Sequence, residues 1–340
     1  MRCTRREFLV TGSAALSALA IAPALPAAPA RRGTLFNWTQ LRPDLHAGAG
    51  QGGNVAVLQT DAGAVLIDAK NAPFGVTLRR EADALGLAVV LLISTHHHAD
   101  HTGGNHAFLG GDDPVRVIMH PKAKPRVEQQ LDRYVAQIRR APDQLASLEE
   151  DLSDKARAEI LDTADRAGDL AATDFAPVVT LPDTMFDGGP IPLGGRELTL
   201  THVGPGHTDN DIFIFMKEQN VLHAGDLVFN RLHPFMDVPG GATSKGWIAS
   251  CNAMLEVCDS KTTVIPGHGE ITDADGIRRQ IRYFEVVREA AAKAVADGLE
   301  RDRFVESDLP VFEDYGFTRI KERTLGTIYD EMVEQHKGGG

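Results

Sequence analysis

Residues 96–101 read His-His-His-Ala-Asp-His, and this run constrains the chain more than any other feature. Its useful spacing is His96-x-His98-x-Asp100-His101, four metal-ligand side chains within six residues. An apolar run, 89–93, precedes it and Thr102-Gly103-Gly104 follows, so a buried strand delivers the cluster into a tight turn. Neutral imidazole and carboxylate are ordinary zinc ligands, and alternate residues of an extended segment face opposite ways, so one short loop can serve two ions.

Three later turns each add one ligand after an apolar stretch. They are His207 in Gly204-Pro205-Gly206-His207-Thr208, Asp226 in His223-Ala224-Gly225-Asp226, and His268 in Pro266-Gly267-His268-Gly269. A catalytic zinc takes about three protein ligands and keeps a position open. Seven candidates therefore suit two ions that share one carboxylate.

This set, in this order, resembles the metallo-β-lactamase superfamily and matches its five metal-site motifs over residues 50–275. The resemblance implies an α/β fold, a four-layer αβ/βα sandwich with the metals at one edge of two packed sheets. By position, His96, His98 and His207 would hold a first metal, Asp100, His101 and His268 a second, and Asp226 would bridge them. Asp100 and Asp226 would then stand at the catalytic centre. Two zinc ions per chain are the implied cofactor, with iron or manganese as the other metals such a set admits. A metal-activated hydroxide would be the nucleophile, and no Gly-x-Ser-x-Gly elbow suggests a serine mechanism.

Asp226 stands where one β-lactamase subclass has cysteine and another serine. An aspartate there is similar to glyoxalase II, lactonases and related ester or thioester hydrolases. The implied function is an exported dinuclear zinc hydrolase acting on a small ester, thioester, lactone or lactam. The alternative is a mononuclear iron persulfide dioxygenase, whose residues overlap His96, His98, His207 and Asp226. The second trio leans towards two metals, and His98, where flavodiiron proteins carry an acid, argues against that type.

Other polar residues take supporting roles. Asp68, closing an apolar strand, resembles the family's supporting aspartate and is read as a partner of a ligand imidazole or turn amide. Asp209, Asn210 and Asp211 fit turn chemistry. His97 alternates away from the ligands, and His120, His202 and His223 are strand histidines of core or rim. His233 lies in the loop 231–241, just after Asp226, and is read as a catalytic candidate for proton transfer near neutral pH.

The N-terminus reads as a twin-arginine export signal. Thr4-Arg5-Arg6-Glu7-Phe8-Leu9 is followed by a weakly apolar run, 10–22, and Ala28-Pro29-Ala30, which predicts cleavage after Ala30 and a periplasmic protein. The run is too short to span a bilayer, which needs about 20 apolar residues, and no later segment reaches that length. The mature chain is thus expected to have no membrane partner. Net charge is −12, and residues 1–30 hold three Arg and one Glu, so the remainder stands near −14. An acidic chain without a basic tract is not built for nucleic acid, which leaves a small-molecule substrate as the partner. The residues fix no oligomeric state. Only Cys251 and Cys258 remain after cleavage; two helical turns hold them about 10 Å apart, beyond the roughly 7 Å reach of a disulfide.

The rest divides into a main domain, 31–300, and a helical tail, 301–340. Residues 31–53 read as a loose glycine-bearing lead-in. Strands are predicted at 54–59, 64–68, 89–94, 116–120, 197–202, 211–216, 221–224 and 262–265. Helices are predicted at 73–85, 245–257, 273–297 and 320–337, with another opening at 102–108. Residues 121–172 carry no strand signal and place Val127, Leu131, Tyr134 and Ile138 at helical spacing, a helical insertion between two strands.

Overall fold

In the segment Gly63–Ile67 every residue is apolar and every residue is buried. Successive side chains of a strand face opposite ways, so such a strand must be covered on both sides. Ala64 and Leu66 pack among Leu78, Ala82 and Phe108 beneath helices. Val65 and Ile67 pack among Leu198, Leu200 and Ile214 of the opposite half. That double burial makes a sandwich with helices outside it.

The computed structural model describes residues 34–109, 115–148, 152–177, 183–307, 309 and 312–338. The first sheet runs in sequence order through β1 (Asn37–Arg42), β2 (Leu45–Ala49), β3 (Val55–Thr60), β4 (Gly63–Ile67), β5 (Val89–Ile93) and β6 (Arg116–Ile118). The second runs through β7 (Asp187–Leu193), β8 (Arg196–Thr201), β9 (Phe213–Met216), β10 (Val221–Phe229), β11 (Thr263–His268) and β12 (Thr272–Asp273). Each half begins with antiparallel neighbours and then crosses over to parallel ones, β4 to β5 and β10 to β11. Helix α1 (Gly75–Asp83) makes the first crossover.

Further helices are α2 (Ala99–Thr102), α3 (His106–Leu109), α4 (Ala123–Glu128), α5 (Leu131–Gln144) and α6 (Asp154–Asp165). In the second half, α7 (Ser244–Val257) makes the crossover, and α8 (Ala274–Ala296), α9 (Arg301–Val305) and α10 (Thr318–Gly338) follow. Trp247, Phe284, Leu325 and Ile328 of α7, α8 and α10 share one core against the second sheet. The insertion helices α4, α5 and α6 bury Val127, Tyr134, Ile138 and Ile160 in the same core as α1. Among the described residues no strand lies between β6 and β7, as the sequence pattern predicts.

Two expectations need correction. Residues 31–53 are not a loose lead-in, because β1 and β2 pair within them as a hairpin. Their alternation is short and mixed with polar residues, and a distant residue completes it: buried Glu81 accepts from Leu35 N, Phe36 N and Trp38 Nε1. Strand β7 is also absent from the sequence reading. It carries Pro190 and Pro192, which a sheet tolerates only at an edge, and β7 is the edge strand. Cys251 is buried and Cys258 half-buried, both as free thiols. Residues 1–33 lie outside the described residues, so the export reading has no structural counterpart; among those described, no helix is long and apolar enough to cross a membrane.

Candidate metal centre

Six candidate ligands sit at or beyond the ends of strands, and Asp226, expected in a turn, lies inside one. After β5 the chain turns through Ser94 and Thr95 to His96; His98 holds the extended N-cap position of α2, and Asp100 and His101 occupy its single turn. His207 follows β8, Asp226 lies within β10, and His268 is the last residue of β11.

The fold brings all seven together, with Asp226 between two groups. Its Oδ2 lies 3.3 Å from His207 Nε2 and 3.7 Å from His96 Nε2. Its Oδ1 lies 3.0 Å from His101 Nε2 and 3.5 Å from His268 Nε2. His98 Nδ1 is 2.8 Å from His207 Nε2, and Asp100 Oδ2 is 3.1 Å from His268 Nε2. Ligand atoms of His96, His98, His207 and Asp226 form one tight group, and those of Asp100, His101 and His268 another.

These atoms fit divalent ions. His96 Nε2, His101 Nε2 and Asp226 Oδ1 are buried without a well-formed hydrogen bond, the last two despite their 3.0 Å approach. Buried polar atoms left in that state cost free energy, and a cation in each group would satisfy them. Imidazole nitrogen with carboxylate oxygen is a donor set for zinc and its neighbours. Two glycines keep the space clear. A Cβ on Gly53 would stand 2.0 Å from His101 Cε1, and one on Gly267 would stand 2.0 Å from Asp226 Oδ1.

Four of the imidazoles are fixed through their other nitrogen. His96 Nδ1 lies 3.0 Å from Thr95 Oγ1, His101 Nδ1 2.7 Å from Asp68 Oδ2, and His207 Nδ1 2.7 Å from the Phe235 carbonyl. His98 is turned the other way: its Nδ1 faces the cluster and its Nε2 meets Asp237 Oδ2 at 3.0 Å. Such partners select the tautomer and hold the ring. Asp68 is fully buried with φ 63°, and it also accepts from Thr95 N at 2.7 Å and Thr95 Oγ1 at 2.8 Å. His97 Nε2 sits 3.3 Å from Asp237 on the far side of His98, and its Nδ1 lies beside Asn210.

Charge follows this layout. Burial opposes ionisation of Asp226, but facing His101, His268 and His96 outweigh it and hold the carboxyl well below the usual range. Burial likewise disfavours a charged His101, yet Asp226, Asp68 and Asp100 raise it well above an ordinary histidine. Against the same burial, Asp226 and Asp100 push His268 up to about 9. Burial and neighbouring His98 take His207 down to about 3, and burial with His101 takes His96 well below its ordinary value. The shifts favour the neutral, ligating form of His96 and His207, and a metal would compete with the proton at His101 and His268.

His233 does not join this group. Its ring is buried, with Nδ1 2.9 Å from Tyr283 Oη, and it packs against Tyr283 and Tyr315. The backbone explains this: Arg231 takes a left-handed φ of 56°, and His233 N bonds to the Gly316 carbonyl. The catalytic reading of His233 is therefore corrected to a packing one. Within that loop Phe235 and Asp237 reach the cluster, the first edge-on to His98 and His207 and the second bonded to His98.

A cavity of about 580 Å³ opens over the centre. His98, Asp100, Asp226 and His268 line its ligand side. Phe229, Phe235, Phe317 and Ile320 give apolar wall, and Arg133, Thr318 and Arg319 complete it. The sequence reading missed Asp237 and the 317–320 segment. No motif marks either, because each acts only through tertiary approach.

Residues 48–268 match the family model described as Metallo-beta-lactamase superfamily, a span that covers more than half the chain and holds all seven candidate ligands. The chain is 27% identical over 199 residues to the acyl-coenzyme A thioesterase MBLAC2 of Gallus gallus, covering 58% of this chain and 62% of that one. The match thus spans about three-fifths of that relative's length. Two solved structures share the fold. A metallo-beta-lactamase from Pontibacter korlensis gives a TM-score of 0.50 at 18% identity, covering 74% of this chain and 99% of that one. The inverting sec-alkylsulfatase Pisa1 from Pseudomonas sp. gives 0.60 at 20%, covering 86% and 50%. With the sandwich and the converging motifs, the matched family model settles the assignment: the chain belongs to the metallo-β-lactamase superfamily.

Proposed function

We propose that the chain is a dinuclear zinc hydrolase that cleaves a small thioester or other carboxylic ester. The observation that carries this is Asp226, set between two ligand groups with one oxygen towards each. Bound there, a pair of divalent ions supplies Lewis acidity and a water acidified towards neutral pH.

The protein's own residues do the rest. His96, His98, His207 and Asp226 hold one ion, and Asp100, His101, His268 and Asp226 the other. Asp68 and Asp237 keep His101 and His98 in the required tautomers. Asp100 lines the cavity, and its Oδ1 has no hydrogen-bond partner among the described residues, so it is placed to orient water there. Phe229, Phe235 and Phe317 exclude bulk solvent from the acyl group. A cavity of about 580 Å³ suits a small-molecule substrate. Thioester chemistry is favoured by the aspartate at position 226 and by the relative named as an acyl-coenzyme A thioesterase.

Metal analysis joined to a panel of thioester, ester, lactone and β-lactam substrates tests this reading. About two zinc per chain are expected, with thioester or ester turnover abolished by a chelator and restored by zinc. One iron per chain with oxygen uptake on a persulfide would replace the hydrolase by the dioxygenase reading. We further propose twin-arginine export of the folded protein. N-terminal sequencing of periplasmic material is expected to start at Arg31; full-length cytoplasmic protein would reject that.

A further inference from the structure

The cavity wall facing the ligands carries two guanidiniums from distant parts of the chain. Arg133 comes from α5 in the insertion and Arg319 from the first turn of α10. Among the described residues neither is paired with a carboxylate. The two cavity acids, Asp100 and Asp226, are engaged by histidines instead. Other arginines near the site do have partners: Arg126 clamps Asp209 at 2.6 Å, and Arg323 lies 4.4 Å over the Phe235 ring. Beside these two arginines stand Phe235, Phe317 and Ile320. The wall is thus apolar with two arginines in it, on a chain whose net charge is −12.

We propose that Arg133 and Arg319 form an oxyanion subsite, so that the preferred substrate is an ester or thioester whose apolar body ends in a carboxylate or phosphate. Guanidinium offers fixed pairs of donors that match such groups. A neutral substrate would leave both exposed cations solvated and gain nothing from them. This rests on the same cavity being the reaction site of the hydrolase proposed above. The scissile carbonyl would lie at the ligand face and the anion at the arginines, with the aromatic wall along the chain between them.

Calorimetric titration of the protein, as purified with its metal, tests this without turnover. The probes are linear dicarboxylates from succinate to suberate and the monomethyl ester of each. Every probe offers one carboxylate to the metal face, and only the diacids offer a second to the arginines. At the length that spans the cavity, the diacid is expected to bind about tenfold or more tightly than its monoester, the usual worth of a charge-assisted hydrogen-bond pair. Arg133→Gln and Arg319→Gln should each reduce that preference, and the double variant should remove it while monoester binding and metal content stay unchanged. Phosphonocarboxylates of the same length show which anion fits better. Equal binding of diacid and monoester at every length, or a preference that survives in the double variant, would overturn the proposal. Thioesters of the same acids separate the two readings. Diacid preference without turnover removes the hydrolase and leaves the subsite, whereas turnover without preference removes the subsite alone.

Discussion

The two sides of the cavity are built differently. The ligand side stands on sheet ends and is over-determined. Asn54 ties the halves together there, donating from N to the Gly267 carbonyl at 2.7 Å and from Nδ2 to the Pro266 and Gly269 carbonyls at 2.9 Å. Ile212 N bonds across to the Thr95 carbonyl. The opposite wall comes from the insertion and α10, whose inner faces are anchored in the two cores through Tyr134 and Ile138 and through Leu325 and Ile328, while Arg133, Thr318 and Arg319 on the cavity side are exposed. Phe317 on this wall is 46% exposed. A face anchored by many buried partners fails or holds as a unit. A wall whose lining side chains are open to solvent changes by degrees, so chemistry and selectivity are carried by separable parts.

The sharpest break in this comparison is Asp226→Asn, which keeps shape but removes the charge facing both groups. Bound metal is expected to fall, and hydrolysis to drop by more than the roughly 10–100-fold typical of an outer partner. Metal content and rate together check it. Unchanged values for both would reduce Asp226 to a structural residue of β10.

Asp68→Asn and Asp237→Asn come next and sharpen the comparison within the ligand side. Asp68 acts directly on His101 and only through Thr95 on His96, and Asp237 acts on His98, so the two should weaken different metals most. Each is expected to cost about 10–100-fold in one stepwise metal affinity and less in the other. Competition titration with a chromogenic chelator reads both steps. Equal loss of both metals in both variants would show that the groups are not separate.

The same contrast explains what the sequence made legible. Each ligand comes after an apolar run, though for Asp226 the strand continues past it, and glycine or proline flanks His207, Asp226 and His268, so spacing alone marks them. The double-sided sandwich is visible in runs such as 64–67 for the same reason. Hairpin β1–β2 was hidden because Glu81, some 40 residues later, supplies its hydrogen-bond partner. Asp237 and Phe317 were hidden because neither position has a local pattern and both gain their role from segments that meet only in the fold. Loop proximity to Asp226 suggested His233, yet the backbone turn at Arg231 delivers Phe235 and buries His233.

On the wall, Phe235→Ala should act by degrees. Its ring meets His98 and His207 edge-on, but its carbonyl, which holds His207, survives the substitution. Metal content is expected to stay the same. KM for apolar acyl substrates should rise on the order of tenfold, in line with a lost aromatic contact, and KM for the shortest acyl group much less. A uniform change across substrates would mean that the wall does not select.

The smallest effect on turnover is expected at His233, because its ring faces Tyr283 and Tyr315 rather than the cavity. Burial, helped by Lys321, takes the folded imidazole down to about 4, against about 6.5 in the unfolded chain. Between those values the unfolded state binds the extra proton, so this group's contribution to stability is complete above about pH 6.5 and lost as pH falls towards 4. His233→Gln removes that titration and weakens the bond to Tyr283, costing about 1 kcal/mol at neutral pH. Stability should then fall less steeply between pH 6.5 and 4 than in the parent, as read from denaturant midpoints across that range. Metal content and turnover should match the parent. A tenfold loss of turnover at unchanged metal content would return His233 to the reaction and dissolve the separation between the two sides of the cavity.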